Sequence, residues 1–496
     1  MNRLLWVLFF AFVFVSCDNN EPDLPDANSI VTVRPALITS YYMGNGVQWG
    51  GYDILEAWTG NAAHSTDDWN KLVKRVDFMQ PALVRIMVNK NWNYLVNGLF
   101  DPSKSDPVLV PILDYCEQRG ITVILGEWGH TGGDTINHEW LNQAADFLEW
   151  LLVTKNYSCI KYFNMVNEPN GNWSSVNGNY TLWKQLVEDF HALLVAKGID
   201  TRIKLAGPDI AVWNADQCEW ISHTRFDLDA QISTYDMHTY PSETEVRDGS
   251  YFELIKSCRQ LVPSSHELIM SEFGFKYKAG SALAVENTRR IAHDEYASDD
   301  SNMMTYDAFY GVDMADAMMQ NMLAGFAGMI IWSLDDAMYN IDGSPGTRLK
   351  RWGFWNILGS EKFGNPDDEN IRPWFHPVSL MCRYFPEGTK IHEIALPLKK
   401  GFRAVAGEKE GKYTLAIVNS GYVKYEVNLA FEEGIVMPSV KSYRFIADAG
   451  SAFTADFNEE GFAAPFQSDT TLDFSNKKAL LLSIPAQSFW LFTNMN

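Results

Sequence analysis

Met165-Val-Asn-Glu-Pro-Asn170 closes an apolar run that begins at Ile160, and its reading decides the fold. The run from Ile160 to Val166 has the length and composition of a buried strand. It stops at Asn167-Glu168, and Pro169 cannot extend a strand ladder. A carboxylate at the end of a buried strand is costly without partners, so Glu168 calls for a role. Glu267-Leu-Ile-Met-Ser-Glu272-Phe-Gly274 repeats the design, with an apolar strand whose last polar residue is a glutamate. Two strand-end glutamates predict a carboxylate pair meeting over the mouth of a barrel.

Working outward, apolar runs alternate with amphipathic stretches from Ser40 onward. Strands are expected at Tyr42–Val47, Leu83–Val88, Thr122–Glu127, Ile160–Asn167, Ile203–Gly207, Tyr235–His238, Leu268–Glu272 and Gly328–Ser333. Helices are expected between them, among others at Asp67–Phe78, Val108–Arg119, Trp140–Val153 and Tyr180–Lys197. Eight strand–helix units with near-continuous apolar strands predict a (β/α)8 TIM barrel. Beyond Phe385-Pro386-Glu387-Gly388 the pattern changes to short alternating runs separated by turn residues. That pattern predicts a C-terminal antiparallel β-sandwich. The expected domains are a signal peptide at 1–16, an acidic tether at 17–29, a catalytic barrel at 30–386 and an accessory β-sandwich at 387–496.

The chain has 496 residues and a formal charge of −22, which argues against nucleic acid as a partner. Arg3 and the apolar run Leu4 to Val15 read as a targeting segment, too short to span a bilayer comfortably. Phe14-Val15-Ser16-Cys17 resembles a bacterial lipoprotein signal, with cleavage before Cys17 and lipid on its thiol. The expected location is therefore the outer membrane, on its surface or its periplasmic face. Five cysteines remain, with no CxxC or Cys/His spacing, so no zinc site is signalled. One disulfide is compatible with export, and no pair is singled out.

Active-site residues of such barrels sit at the carboxyl ends of the strands, and the polar residues here fall there. Arg85 lies within the second strand and Glu127-Trp-Gly-His130 closes the third. Asn167-Glu168 closes the fourth, His238-Thr-Tyr240 the sixth and Glu272 the seventh, while Trp332 lies in the eighth. Asp335-Asp336, just after it, is expected to be a solvated loop rather than a hydroxyl-binding pair. The seven tryptophans Trp49, Trp92, Trp128, Trp173, Trp213, Trp352 and Trp355 are expected at or near the barrel rim. No HExxH or GxSxG occurs, so zinc protease and serine hydrolase chemistry have no support.

Asn167-Glu168-Pro169, His238-x-Tyr240, Ser271-Glu272-Phe273-Gly274, Arg85 and Trp332 resemble the retaining glycoside hydrolases of clan A, most of all the family 5 cellulases and mannanases. The resemblance spans Ser40 to Pro386. It implies a carbohydrate substrate, no cofactor and no metal. It also implies Glu168 as acid/base, Glu272 as nucleophile, and Arg85, His130, Asn167, His238, Tyr240 and Trp332 as substrate-binding residues. Retaining hydrolysis needs the two carboxyl groups about 5 Å apart. Glu168 is expected to be kept protonated by apolar surroundings, and Glu272 kept ionised by Arg85 and Tyr240. Asn167 is expected to bind the sugar 2-hydroxyl. An exo-acting β-glycosidase, a transglycosylase and a catalytically silent glycan-binding surface lipoprotein remain as alternatives.

Overall fold

A computed structural model describes residues 30–52, 65–129, 134–336, 339–340, 348–432, 435–473 and 480–496. Eight strands close into a parallel barrel. They are β1 Gly44–Gln48, β2 Leu83–Val88, β3 Thr122–Glu127, β4 Ile160–Asn164, β5 Lys204–Ala211, β6 Ile232–Thr239, β7 Leu268–Phe273 and β8 Gly328–Ile331. Their order around the barrel follows the chain, and β8 pairs with β1 to close it. A small apolar layer of Met43, Leu83, Ile124, Ile269 and Ile330 forms a cluster of its own, apart from the main core.

Helices form close to their expected places, at Thr66–Met79, Leu109–Arg119 and Tyr180–Lys197. The helix expected at 140–153 is His138–Glu149, running into a wider turn at Trp150–Thr154. Local chemistry sets their starts. Ser65 Oγ accepts from the Asp68 N–H at 3.1 Å, and the Asp68 carboxylate accepts from the Ser65 N–H at 3.0 Å. Two donors that the first turn leaves unpaired are thereby satisfied.

The β domain is a ten-stranded, mostly antiparallel sheet with an apolar core of its own, including Val33, Phe402, Ile417, Leu429 and Ile484. Its strands include the expected runs, for example Phe402–Lys409, Lys412–Asn419 and Ser488–Thr493. One member comes from the other end of the chain. Ile30–Tyr42 pairs antiparallel with Thr389–Ala395 and parallel with Tyr425–Phe431. Residues 30–42, expected within the barrel, therefore lie in the sheet, and the first barrel strand starts at Gly44. The displacement has a packing reason. Val31 and Val33 are buried between more exposed neighbours, as in a sheet with one face covered. The true β1 carries few apolar side chains because β2 approaches it closely. A Cβ on Gly46 would lie 1.8 Å from the Leu83 carbonyl oxygen.

The helix Ala308–Ala324 lies between barrel and sheet and is buried along most of its length, with Met314, Met318, Met319 and Met322 in the core. Its two buried aspartates are matched across that boundary. Asp313 pairs with Arg247 at 2.7 Å, and Asp316 accepts from the Ser420 hydroxyl at 2.6 Å. Among the described residues no helix is long and apolar enough to cross a membrane.

Candidate active site

Beyond Asn164 the chain leaves the β4 ladder, and Glu168 takes a left-handed backbone conformation with φ 49°. Asp209, in β5, does the same at φ 56°. Such conformations cost a non-glycine residue about 1–3 kcal/mol each, and surrounding bonds must hold them. The Glu168 N–H donates to the Asp209 carbonyl at 3.0 Å. Asn170 completes the clamp: its NH2 donates to the Ala211 carbonyl at 2.8 Å and its oxygen accepts the Ala211 N–H at 3.0 Å. The turn after β4 and the end of β5 are thus joined side by side, and both carboxylates point into one space.

Arg85 is the hub of that space and is wholly buried. Its Nη1 donates to Glu272 Oε2 at 2.7 Å and to Gln48 Oε1 at 3.1 Å. Its Nη2 donates to Asp209 Oδ2 at 2.8 Å and Asn167 Oδ1 at 2.9 Å. Tyr240 donates its hydroxyl to Glu272 Oε1 at 2.6 Å. His238 Nε2 lies 2.8 Å from Asp209 Oδ1, and its Nδ1 lies 3.2 Å from Glu168 Oε1. Carboxylate oxygens of Glu168 and Glu272 come within 4.8 Å of each other. The two glutamates therefore face one another across a narrow gap.

The electrostatics differ from the expectation for Glu168. Burial pushes its carboxyl up, but the hydrogen bond and charge of His238 and the indole of Trp173 outweigh that and hold it below the usual carboxylate range. An acid kept neutral by apolar surroundings is thus replaced by one held ionised by donors in the free chain. The cation responsible is unusually stable. Burial opposes the charge on His238, yet Asp209 and Glu272 raise its pKa to about 10. Asp209 in turn is lowered to about 2, because Arg85 and His238 overcome its burial. Asp236, buried beside Asp209, is raised to about 7 and accepts the Asp209 N–H at 2.7 Å. Glu168, His238 and Glu272 also lie within metal-ligating reach of one another. An ion there would have to displace a proton from His238, whose two ring nitrogens already face Asp209 and Glu168.

A cavity of about 670 Å³ opens over the pair. Asn167, His238, Tyr240 and Trp332 line it, whereas Arg85 lies beneath. His130 and Cys17 lie outside the described residues. Of the seven tryptophans, Trp128, Trp173, Trp213 and Trp352 line the cavity. Trp49 and Trp355 are buried in the core, and Trp92 packs against it. Asp335 and Asp336 are a correction: both are buried rather than solvated. Asp335 accepts from Tyr52 and Trp355, each at 3.0 Å, and Asp336 accepts the Trp352 and Gly353 N–H groups and pairs with Arg372. They anchor the segment that brings Trp352 to the cavity.

Sequence reading passed over three participants. Asp209 follows Gly207-Pro208 in an apolar run, and its strand-end place was the available signal. Asn170 was part of the quoted motif without a role. Lys276, whose ammonium lies 5.5 Å from the ring centroids of both Tyr240 and Trp352, carries no pattern of its own.

No family model and no curated protein matches the chain. Solved structures do. A glycoside hydrolase family 30 subfamily 8 xylanase from Clostridium acetobutylicum aligns with TM-score 0.61 at 13% identity, over 94% of this chain and 99% of that one. An α-L-arabinofuranosidase from Thermotoga maritima aligns with TM-score 0.62 at 13% identity, over 94% and 99%. A monomeric β-xylosidase from Caulobacter crescentus aligns with TM-score 0.60 at 11% identity, over 94% and 99%. At such identities the likeness is one of fold, and it extends over the barrel and the β domain together.

Proposed function

We propose that this protein is a retaining glycoside hydrolase of clan A that cleaves a β-linked poly- or oligosaccharide by double displacement. The observation that carries the reading is the approach of Glu168 and Glu272 within 4.8 Å across the cavity floor. That spacing suits a nucleophile and an acid acting on one bond, as retaining hydrolysis needs. Glu272, aimed by Arg85 and Tyr240, attacks the anomeric carbon and forms a glycosyl ester as the leaving oxygen departs. Glu168 gives its proton to that oxygen. It then takes a proton from water, which attacks the anomeric carbon and releases Glu272. With its oxygen held by Arg85, Asn167 offers its NH2 to the sugar 2-hydroxyl.

Fold neighbours described as xylanase, arabinofuranosidase and xylosidase support a glycosidase. The one whose family is stated belongs to family 30, so the reading stands at the level of the clan and not at the family 5 group. Endo action on a polysaccharide remains our choice. We also propose that the chain is an exported lipoprotein anchored in the outer membrane through Cys17. The disulfide Cys218–Cys258 supports an oxidising compartment.

Activity on a broad polysaccharide and oligosaccharide panel, with product sizes followed over time, tests the first reading. The parent is expected to release sugars with retained anomeric configuration, and Glu272→Ala to release none. Hydrolysis unchanged in Glu272→Ala would remove the mechanism, and no hydrolysis by the parent would favour a glycan binder. Metabolic labelling with radioactive palmitate tests the anchor: the label is expected on the parent and absent from Cys17→Ala.

A further inference from the structure

The two oxygens of Glu168 meet different kinds of donor. Oε1 faces His238 Nδ1 at 3.2 Å, and that ring is buried and pinned by Asp209. Oε2 accepts the indole N–H of Trp173 at 2.8 Å, and Trp173 is 56% exposed at the cavity rim. Of the two donors, only the indole is free to leave.

Gly171 supplies an independent sign that the indole has a built seat. A Cβ at this position would lie 2.3 Å from Trp173 Cε2 and 2.5 Å from its Cζ2. The ring therefore rests on a bare α-carbon, and any side chain at 171 would push it away. Trp213, 57% exposed, sits with its ring centre 5.9 Å from that of Trp173 and continues the rim.

We propose that Trp173 is a positioning residue for Glu168: seated over Gly171, it occupies the place of the leaving-group oxygen and yields it to an entering sugar. This rests on Glu168 being the acid of the reaction. An N–H binds a carboxylate more strongly than it binds a carboxylic acid. Release of the indole and uptake of a proton by Glu168 are therefore linked. The other charged groups around Glu168 are His238 from β6, Asp209 from β5, Glu272 from β7 and Arg85 from β2, with the Tyr240 hydroxyl close by. They are tied to one another inside the barrel, and the indole is the one donor reached from the rim. Once displaced, Trp173 joins Trp213 in offering an aromatic face to the sugar on the leaving-group side.

Two variants separate the donor from the ring. Trp173→Phe keeps an aromatic ring without the N–H, and Gly171→Ala keeps the N–H but displaces it. Each is expected to raise the upper pKa of the kcat/KM profile by on the order of one pH unit. An upper limb unmoved in both variants, with hydrolysis intact, overturns the proposal and leaves the glycosidase reading standing. Tryptophan emission against pH tests the same link without a substrate. The parent is expected to show a step that Trp173→Phe and Glu168→Gln both abolish. No step in the parent, or a step that survives Glu168→Gln, overturns the proposal.

Discussion

Asp209 Oδ1 lies 2.8 Å from His238 Nε2 with both side chains out of solvent, and this pairing sets the charge that reaches Glu168. Asp209 holds a second cation at the same time, with Arg85 Nη2 at 2.8 Å from its other oxygen. Asp209→Asn leaves both cations short of a partner. Removing one partner of a buried pair costs about 3–5 kcal/mol, so the variant is expected to unfold at correspondingly lower denaturant concentration. His238, raised to about 10 in the parent, should fall toward its ordinary 6.5, which NMR titration of the imidazole reads directly.

The pH dependence of stability follows with a definite sign. His238 has its folded pKa raised, so its contribution is complete below about 6.5 and is lost as pH rises toward about 10. Asp209 has its pKa lowered to about 2, so its contribution is present above 3.8 and is lost as pH falls through 2. Thermal melting of the parent and of His238→Gln should differ most near pH 6 and converge toward pH 10. A difference that grows with pH across that range contradicts the assignment of charge.

Under the proposed mechanism, Glu168→Ala removes the proton donor and leaves the nucleophile. Hydrolysis of natural glycosides is expected to fall by roughly 10²–10⁴-fold. Aryl glycosides with strongly acidic leaving groups need little protonation and should lose much less in the first step. Steady-state rates on the two substrate types check this, and equal losses on both would place Glu168 outside acid catalysis.

Asn170 is not among the residues that line the cavity, yet it joins the turns bearing Glu168 and Asp209 through its paired bonds to Ala211. Asn170→Ala should cost about 1–3 kcal/mol of stability, since two backbone groups lose their partner. It should lower kcat more than it raises KM, because the acid's aim is disturbed and the rim is not. Melting curves and steady-state kinetics on one preparation test both parts.

The disulfide joins Cys218, ahead of the helix Glu219–Leu228, to Cys258 in the helix Ser250–Arg259 across 40 residues. Closing a loop of that length stabilises by about 3–4 kcal/mol through the unfolded chain. Cys258→Ser is expected to lower the urea midpoint accordingly, and added reductant should bring the parent to the same value. The other described cysteines, Cys116, Cys159 and Cys382, are buried and unpaired, so they should resist alkylation in the folded chain.

Much of the barrel was legible because burial on both faces leaves an uninterrupted apolar run, visible without any partner strand. β2 and β3 fall where the runs Leu83–Val88 and Thr122–Glu127 place them. Other strands depart at their ends: β4 stops at Asn164, short of the expected Asn167, and β5 runs on to Ala211, past the expected Gly207. β1 contains Gly44, Asn45 and Gly46, chosen for closeness to its neighbours rather than for apolar burial, and the expected strand began two residues early.

Strand periodicity and strand-end polarity are local properties of the chain, and they were enough to single out Glu168, Glu272, Arg85, His238 and Tyr240. Which of these groups touch, and in what state of charge, belongs to contacts between residues far apart in the chain. Asp209 acquires its importance only when Arg85 and His238 arrive from two other strands. The proton on Glu168 depends on an indole resting over Gly171 and an imidazole delivered from β6. A titration follows the local field and dielectric, and these exist only once the barrel has closed.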